Sequence, residues 1–257
     1  MIYIICITAF FASLLTFFSG FGLGTLLMPV FALFFPVEKA IAATAIVHFT
    51  NNIFKSFLIF KNINKSLILR FGISAFIFSF IGASLLQKVS QLNAIYIYDI
   101  ESFSFEITPV KIVAGILMIF FAFFDLIPSL SSIQIDKKYL IPGGMLSGFF
   151  GGFSGHQGAF RSAFLIKSGI SKKEFIATGT FISLFVDVSR IGTYSFFFNS
   201  NQHLKLDLSI LMPAALSAIV GALIGFKWLE KISLKSIQVL VGIFMIAIGI
   251  LLCVGII

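Results

Sequence analysis

The chain has 257 residues, of which 59% are hydrophobic and only 11% charged, with a mean hydropathy of +1.09. A soluble domain carries about 25% charged residues, so that class is excluded, and repeated apolar runs of about 20 residues indicate a polytopic helical membrane protein. The net charge of +8 does not point to nucleic acid, because Lys and Arg sit mostly in short loops, where they report topology.

Residues 2–18 form the first apolar run. It lacks a basic n-region and reads as retained transmembrane sequence rather than a cleaved signal peptide. A break follows, Ser19-Gly20-Phe21-Gly22-Leu23-Gly24, then a short run from Thr25 to Phe35 that Pro36 ends. About 12 helical residues reach about 18 Å, too short for a ~30 Å hydrocarbon core, which predicts a re-entrant hairpin or a half-helix. Val37 to Phe60 is long enough to cross, and it carries Thr44, His48, Asn51, Asn52 and Lys55. Leu67 to Leu86 is a third helix with Gly72 and Gly82 for close contacts. Gln87 to Thr108, with Asp99, Glu101 and Glu106, reads as a loop, and Pro109 to Ile127 as a fourth helix.

Ser129 to Lys138 links the halves. In the second half an apolar arm, Tyr139 to Phe150, leads into Gly151-Gly152-Phe153-Ser154-Gly155-His156-Gln157-Gly158, and a second arm runs from Ala159 to Ile170. A long helix from Lys172 to Phe198, then Leu206 to Phe226 and Ser233 to Ile256, complete the chain. Sliding the first half by 134 residues puts Gly24 on Gly158 and Ala43-Thr44 on Ala177-Thr178. Each half runs glycine break, short arm, charged elbow, long helix.

Charge bias selects the topology. If each broken segment enters and leaves on one side, Lys61, Lys65, Arg70, Lys137, Lys138, Lys167, Lys172, Lys173, Lys227, Lys231 and Lys235 share a face. Only Lys39, Lys88, Lys111 and Lys205 fall on the other. The expected fold is therefore an all-α polytopic membrane protein of two inverted repeats, each a broken, re-entrant helix hairpin plus three transmembrane helices. Residues 1–128 are the first repeat, 129–138 the linker and 139–257 the second. The expected location is the cell (inner) membrane, multi-pass, with both termini outside.

Irregular backbone at membrane depth lines a cavity or is packed in protein. Arg161, three residues after Gly158, stands near the start of a half-helix whose free N–H groups and dipole favour an anion. Arg161, His156, Gln157, Gly158, Gly22, Gly24, Asn51 and Asn52 are the candidate substrate-binding set. Asp187, Arg190 and His48 form a second set, for ion coupling or a structural salt bridge. Thr44, Thr178 and Thr180 could hydrogen-bond an oxyanion or simply hold helices together, and other plainer readings are a hinge where helices pack closely and an Arg161–Asp187 pair. Cys6 and Cys253 have no ligand spacing, and no metal or other cofactor is expected. The glycine triplet has no preceding strand or later acidic partner, so a dinucleotide loop is excluded.

With these pieces assembled, the chain resembles the sulfite exporter TauE/SafE family, anion permeases with two related halves. GFGLGTLLMPVFALFFPVEKAIAATA carries the likeness in the first half, where Gly20, Gly22, Gly24 and Pro29 fit the family's glycine-then-proline pattern. GGMLSGFFGGFSGHQGAFRSAFLIKSGISKKEFIATGT carries it in the second. There the usual triplet is replaced by His156-Gln157-Gly158, Ala163 stands where proline is expected, and Arg161 is an added charge. The resemblance implies movement of small, often sulfur-containing, anions. The expectation is a non-enzymatic secondary transporter for a sulfur oxyanion, sulfonate or carboxylate, in contact with the lipid bilayer, with proton or sodium as candidate coupling ions and no nucleic acid. An assembly or accessory subunit and an intramembrane enzyme are the alternatives; oligomeric state stays open.

Overall fold

Apolar runs bounded by glycine, proline or charged elbows become helices wherever the run lasts, and this sets the element order. The structure is a computed structural model and describes residues 1–19, 23–131, 133–200, 206–227 and 235–257. The helices are α1 (Ile2–Ser19), α2 (Leu23–Ala32), α3 (Val37–Ile59), α4 (Lys65–Ser90, with a π-helical turn at Ile68–Gly72), α5 (Pro109–Leu126), α6 (Leu140–Ser154), α7 (Gly158–Leu165), α8 (Lys172–Ser200), α9 (Leu208–Lys227) and α10 (Lys235–Cys253). Among the described residues α4, α8 over Lys172–Phe196, and α9 are long and apolar enough to cross a bilayer. With ten residues, α2 reaches about 15 Å, half a hydrocarbon core.

Small residues set the closest helix contacts. On α6, Gly144, Gly148 and Gly152 recur every four residues and lie against Phe71, Ala75 and Ser79 of α4 in register, so the two helices run parallel. A Cβ on any of the three glycines would collide with α4 backbone or with Ser74 Oγ. This is the small-xxx-small packing that lets backbones approach in lipid, where apolar side chains gain nothing by leaving the tails. Gly221 and Gly225 of α9 meet Phe10 and Leu14 of α1 in the same parallel sense.

The remaining contacts repeat between the halves. Packing of α4 on α6 is matched by α9 on α1, α4 on α8 by α9 on α3, and α2 on α10 by α7 on α5. Two pairs match themselves, α3 with α8 and α5 with α10, and both are antiparallel. His48 meets Asp187 while Asn64 meets Thr178, and Ile112 meets Cys253 while Leu126 meets Gly242. Gly115 and Gly249, 134 residues apart, face each other directly, and a Cβ on Gly249 would stand 2.8 Å from Gly115 O. A residue touching its own counterpart marks a two-fold relation between like surfaces.

The ends of the bundle separate accordingly. At one end the turn after α2, Glu38, Glu106, Lys111 and the C-terminal Ile256 and Ile257 line a cavity of about 520 Å³. At the other, Ile135 N donates to Ala163 O (3.0 Å) beside Lys137 and Gly169. In this linker Asp136 accepts from Lys138 N, and that backbone hydrogen bond holds its carboxyl below the ordinary carboxylate value.

Expected as a loop, Gln87–Thr108 instead contains an antiparallel hairpin, β1 (Tyr96–Ile100) and β2 (Phe103–Ile107). Its register puts Tyr96, Tyr98, Ile100, Phe103, Phe105 and Ile107 on one face, with Ile97, Asp99, Ser104 and Glu106 opposite. Asp99 and Glu106, which suggested a loop, belong to the polar half of a two-residue alternation, while Glu101 lies in the turn between the strands. Tyr98 OH donates to Val254 O (2.6 Å), tying the hairpin to the end of α10.

Close packing at Gly148 should be sensitive to a single methyl. Gly148→Ala is expected to cost about 1–3 kcal/mol through overpacking. Gly192→Ala, where nothing lies within 4 Å, should not lower stability. Thermal unfolding in detergent compares the two, and equal midpoints would refute the packing account.

Candidate functional site

The second break begins where α6 runs out of ladder. Gly155 adopts φ +84°, a left-handed cap that suits glycine, and its N donates to Gly151 O (3.1 Å). His156 and Gln157 are non-helical, and α7 starts at Gly158. Hydrocarbon cannot solvate carbonyls near such an end, and side chains do so instead. Arg190 Nη1 donates to Gly151 O (3.4 Å), Tyr194 OH donates to Gly152 O, and Ser147 Oγ donates to Gln157 O (3.0 Å).

The side chains of the break itself are left differently. His156 is 2% exposed, its ring stacked on Phe121 (centroids 5.3 Å, 6° apart) and Nδ1 3.2 Å from Ser154 Oγ. Its Nε2 has no hydrogen-bond partner. Gln157, 3% exposed, has none for either amide atom. Such groups cost about 1–3 kcal/mol each when buried unsatisfied. They lie at the N-terminal end of α7, where the helix dipole is positive.

A buried ion cluster lies alongside. Asp187, 0% exposed, accepts at Oδ1 from Arg190 Nη2 (2.7 Å) and Nε (3.0 Å). Its Oδ2 stands 2.7 Å from His48 Nδ1 and accepts from Asn52 Nδ2 (3.3 Å). A carboxylate only accepts, so Nδ1 carries the imidazole proton. Both carboxylate oxygens are therefore engaged: Asp187 joins α3 to α8, and Arg190 carries the connection on to the end of α6.

Arg161 takes another partner. Its Nη1 donates to Ser183 Oγ, which in turn donates to Gly179 O (3.0 Å), and Nε would lie 3.3 Å from a Cβ on Gly179. The pairing of Arg161 with Asp187 that the sequence left open is not made directly: Asp187 forms its ion pairs with Arg190 and His48. Lys55 is 5% exposed and lies within electrostatic range of Arg161. With the Asn51 amide oriented to satisfy its neighbours, Nδ2 donates to Ala218 O (3.2 Å) and Oδ1 accepts from Lys55 Nζ (3.2 Å), with Ser13 Oγ 3.0 Å away.

The two breaks meet. A Cβ on Gly24 would stand 3.4 Å from Gly155 O and 3.7 Å from Thr44 Cγ2. Gly22 lies outside the described residues. Of the residues singled out in the sequence, Gly24, His156, Gln157 and Gly158 come to this junction; His48, Asn52, Asp187 and Arg190 form the ion cluster. Asn51 points elsewhere, to α1 and α9. Sequence reading missed Ser183, Tyr194 and Phe121. Gly179 and Ser183, four apart on the helix of Asp187, were a legible small-polar face; nothing in the sequence joined Phe121 to His156. Among the described residues no group of three or more His, Cys, Asp or Glu side chains gathers as a metal site.

The chain matches the sulfite exporter TauE/SafE family over residues 5–252. No curated protein and no solved structure gives a significant match. With that match spanning nearly its whole length and apolar helices on both sides of the junction, this multi-pass membrane protein belongs to the sulfite exporter TauE/SafE family, a family of membrane transporters.

Proposed function

We propose that the protein is a secondary transporter moving a small anion, a sulfur oxyanion, sulfonate or carboxylate, across the cytoplasmic membrane by alternating access. The observation that carries this reading is the buried hydrogen-bonding capacity left unused at the junction, on Gln157 and on His156 Nε2. A bound oxyanion accepts from the Gln157 amide, from His156 Nε2 once the Ser154 hydroxyl turns its proton from Phe150 O to Nδ1, and from free N–H groups of α7, with Arg161 supplying fixed positive charge. The match between halves and the antiparallel α3–α8 and α5–α10 pairs support two inverted repeats, because a two-fold that reverses membrane-crossing helices lies in the membrane plane. Both termini are outside in this arrangement. Alternating access is rocking of one repeat against the other about the junction.

His48, Asp187 and Arg190 form the coupling element of this scheme. Here the imidazole hydrogen-bonds the carboxylate that neutralises Arg190, so proton gain at His48 changes the balance holding α3 to α8. Asn52 and Lys55 on α3 and Arg190 on α8 are the polar and charged groups around it.

Two outcomes follow for purified protein in proteoliposomes. Arg161→Ala and Gln157→Leu are each expected to reduce flux of the best carried of sulfite, thiosulfate, methanesulfonate and acetate at least tenfold, with monodisperse elution unchanged. Full flux in both variants removes the anion site from this position. Asp187→Asn should lose about 3–5 kcal/mol by stranding Arg190. The double variant Asp187→Leu with Arg190→Met should recover most of that stability, keep counterflow, and lose accumulation driven by a pH gradient. Persistent gradient-driven accumulation there would exclude this cluster as the coupling element.

A further inference from the structure

Several helical hydroxyls in this protein are satisfied in one way. Thr50, Thr180, Thr193 and Ser183 each turn back to donate to the carbonyl four residues earlier, at 2.9–3.0 Å. The backbone thereby satisfies an otherwise stranded donor within its own helix. Thr44, like Ser162 of α7 and Ser189 of α8, departs from this pattern: it is 1% exposed, sits mid-helix in α3, and its Oγ1 has no hydrogen-bond partner. The carbonyl four residues back belongs to Ala40 in the same helix, so the geometry that serves the others is open to it.

Its place explains more than its helix does. Thr44 is the first-half counterpart of Thr178 at the 134-residue shift. Thr178 is spoken for, since its Oγ1 accepts from Asn64 N (2.9 Å) and fastens the turn after α3 to α8. Thr44 faces the other way in function: its Cγ2 approaches Gly24, which in turn approaches Gly155 O. The repeat has thus supplied the same hydroxyl twice. One copy ties structure together, and the other stands unused where the two breaks touch.

We infer that the Thr44 hydroxyl is a substrate ligand, the first repeat's hydrogen-bond donor to the oxyanion held from the other side by Gln157 and the start of α7. The inference rests on the permease reading and deepens it, because it makes the site a junction of both halves rather than a property of the second alone. An oxyanion with oxygens on two faces, such as sulfite or a sulfonate, receives a donor from each repeat. Rocking of the repeats then separates Thr44 from Gln157, so that bound anion bridges the two bodies in one state and is released in another. Thr44 holds substrate without taking part in any bond making.

The test uses Thr44→Val and Thr44→Ser in proteoliposomes, beside Arg161→Ala and Gln157→Leu, with whichever of sulfite, thiosulfate, methanesulfonate and acetate the wild type carries fastest. Thr44→Val is expected to raise KM about tenfold and to melt at or above the wild-type temperature, because it replaces an unsatisfied buried oxygen by a methyl. Thr44→Ser keeps the donor and should stay within about twofold of wild-type KM. A purely structural hydroxyl predicts the opposite pairing, lower melting temperature with unchanged KM, and that result overturns the inference. Wild-type KM in Thr44→Val while Arg161→Ala and Gln157→Leu are inactive also overturns it, and leaves the permease reading standing. Full flux in all four variants overturns both.

Discussion

The hydrogen bonds that α8 gives to the end of α6 decide what the rest of the molecule can be. A helix interrupted inside a bilayer exposes carbonyls that lipid cannot satisfy. Here Arg190 reaches Gly151 O and Tyr194 reaches Gly152 O. Arg190 can be buried at 0% exposure because Asp187 lies one turn before it on the same helix. His48 from α3 then completes the carboxylate. A single helical stripe on α8 therefore both stabilises the broken helix and joins it to α3 in the first half of the chain.

Around this sits a frame whose contacts repeat between the halves, with chemistry that does not. The charged and imidazole groups have no equivalents in the other half: at the 134-residue shift Arg161 falls on Leu27, His48 on Ile182, Asp187 on Ile53 and Arg190 on Ser56. The backbone arrangement tolerates this because it is held by small residues, Gly115 against Gly249 and the glycine stripe of α6 against α4. Packing of that kind specifies distance and direction while leaving most side chains free to diverge.

Much of this frame is legible in the sequence for physical reasons. Breaks in lipid require glycine, so Gly155 and its neighbours stand out against an apolar background, and the short arms betray themselves by length. The 134-residue shift, taken from Gly24 and Ala43-Thr44, also brings Gly115 onto Gly249, which face each other in the fold. The hairpin was obscured because Asp99, Glu101 and Glu106 suggested solvent more strongly than alternation suggested strand. The partners of Arg161 and Asn51 were obscured for a different reason. Helical spacing places Asn51 and Asn52 near one another but differs by about 100° in direction, enough to send one to α1 and α9 and the other to Asp187.

What separates framework from site is how each buried polar group is satisfied. Asp187, Arg190, Tyr194, Ser147 and Thr178 all have partners within the protein, and each partner lies on another helix or fixes a turn. Gln157, His156 Nε2 and Thr44 do not, nor do Ser162 Oγ and Ser189 Oγ. Apolar replacement at each of these positions would gain about 1–3 kcal/mol. Three of them, Gln157, His156 and Thr44, lie where the two breaks meet, which suits a transporter, because groups satisfied within the protein have nothing left to offer a passing anion.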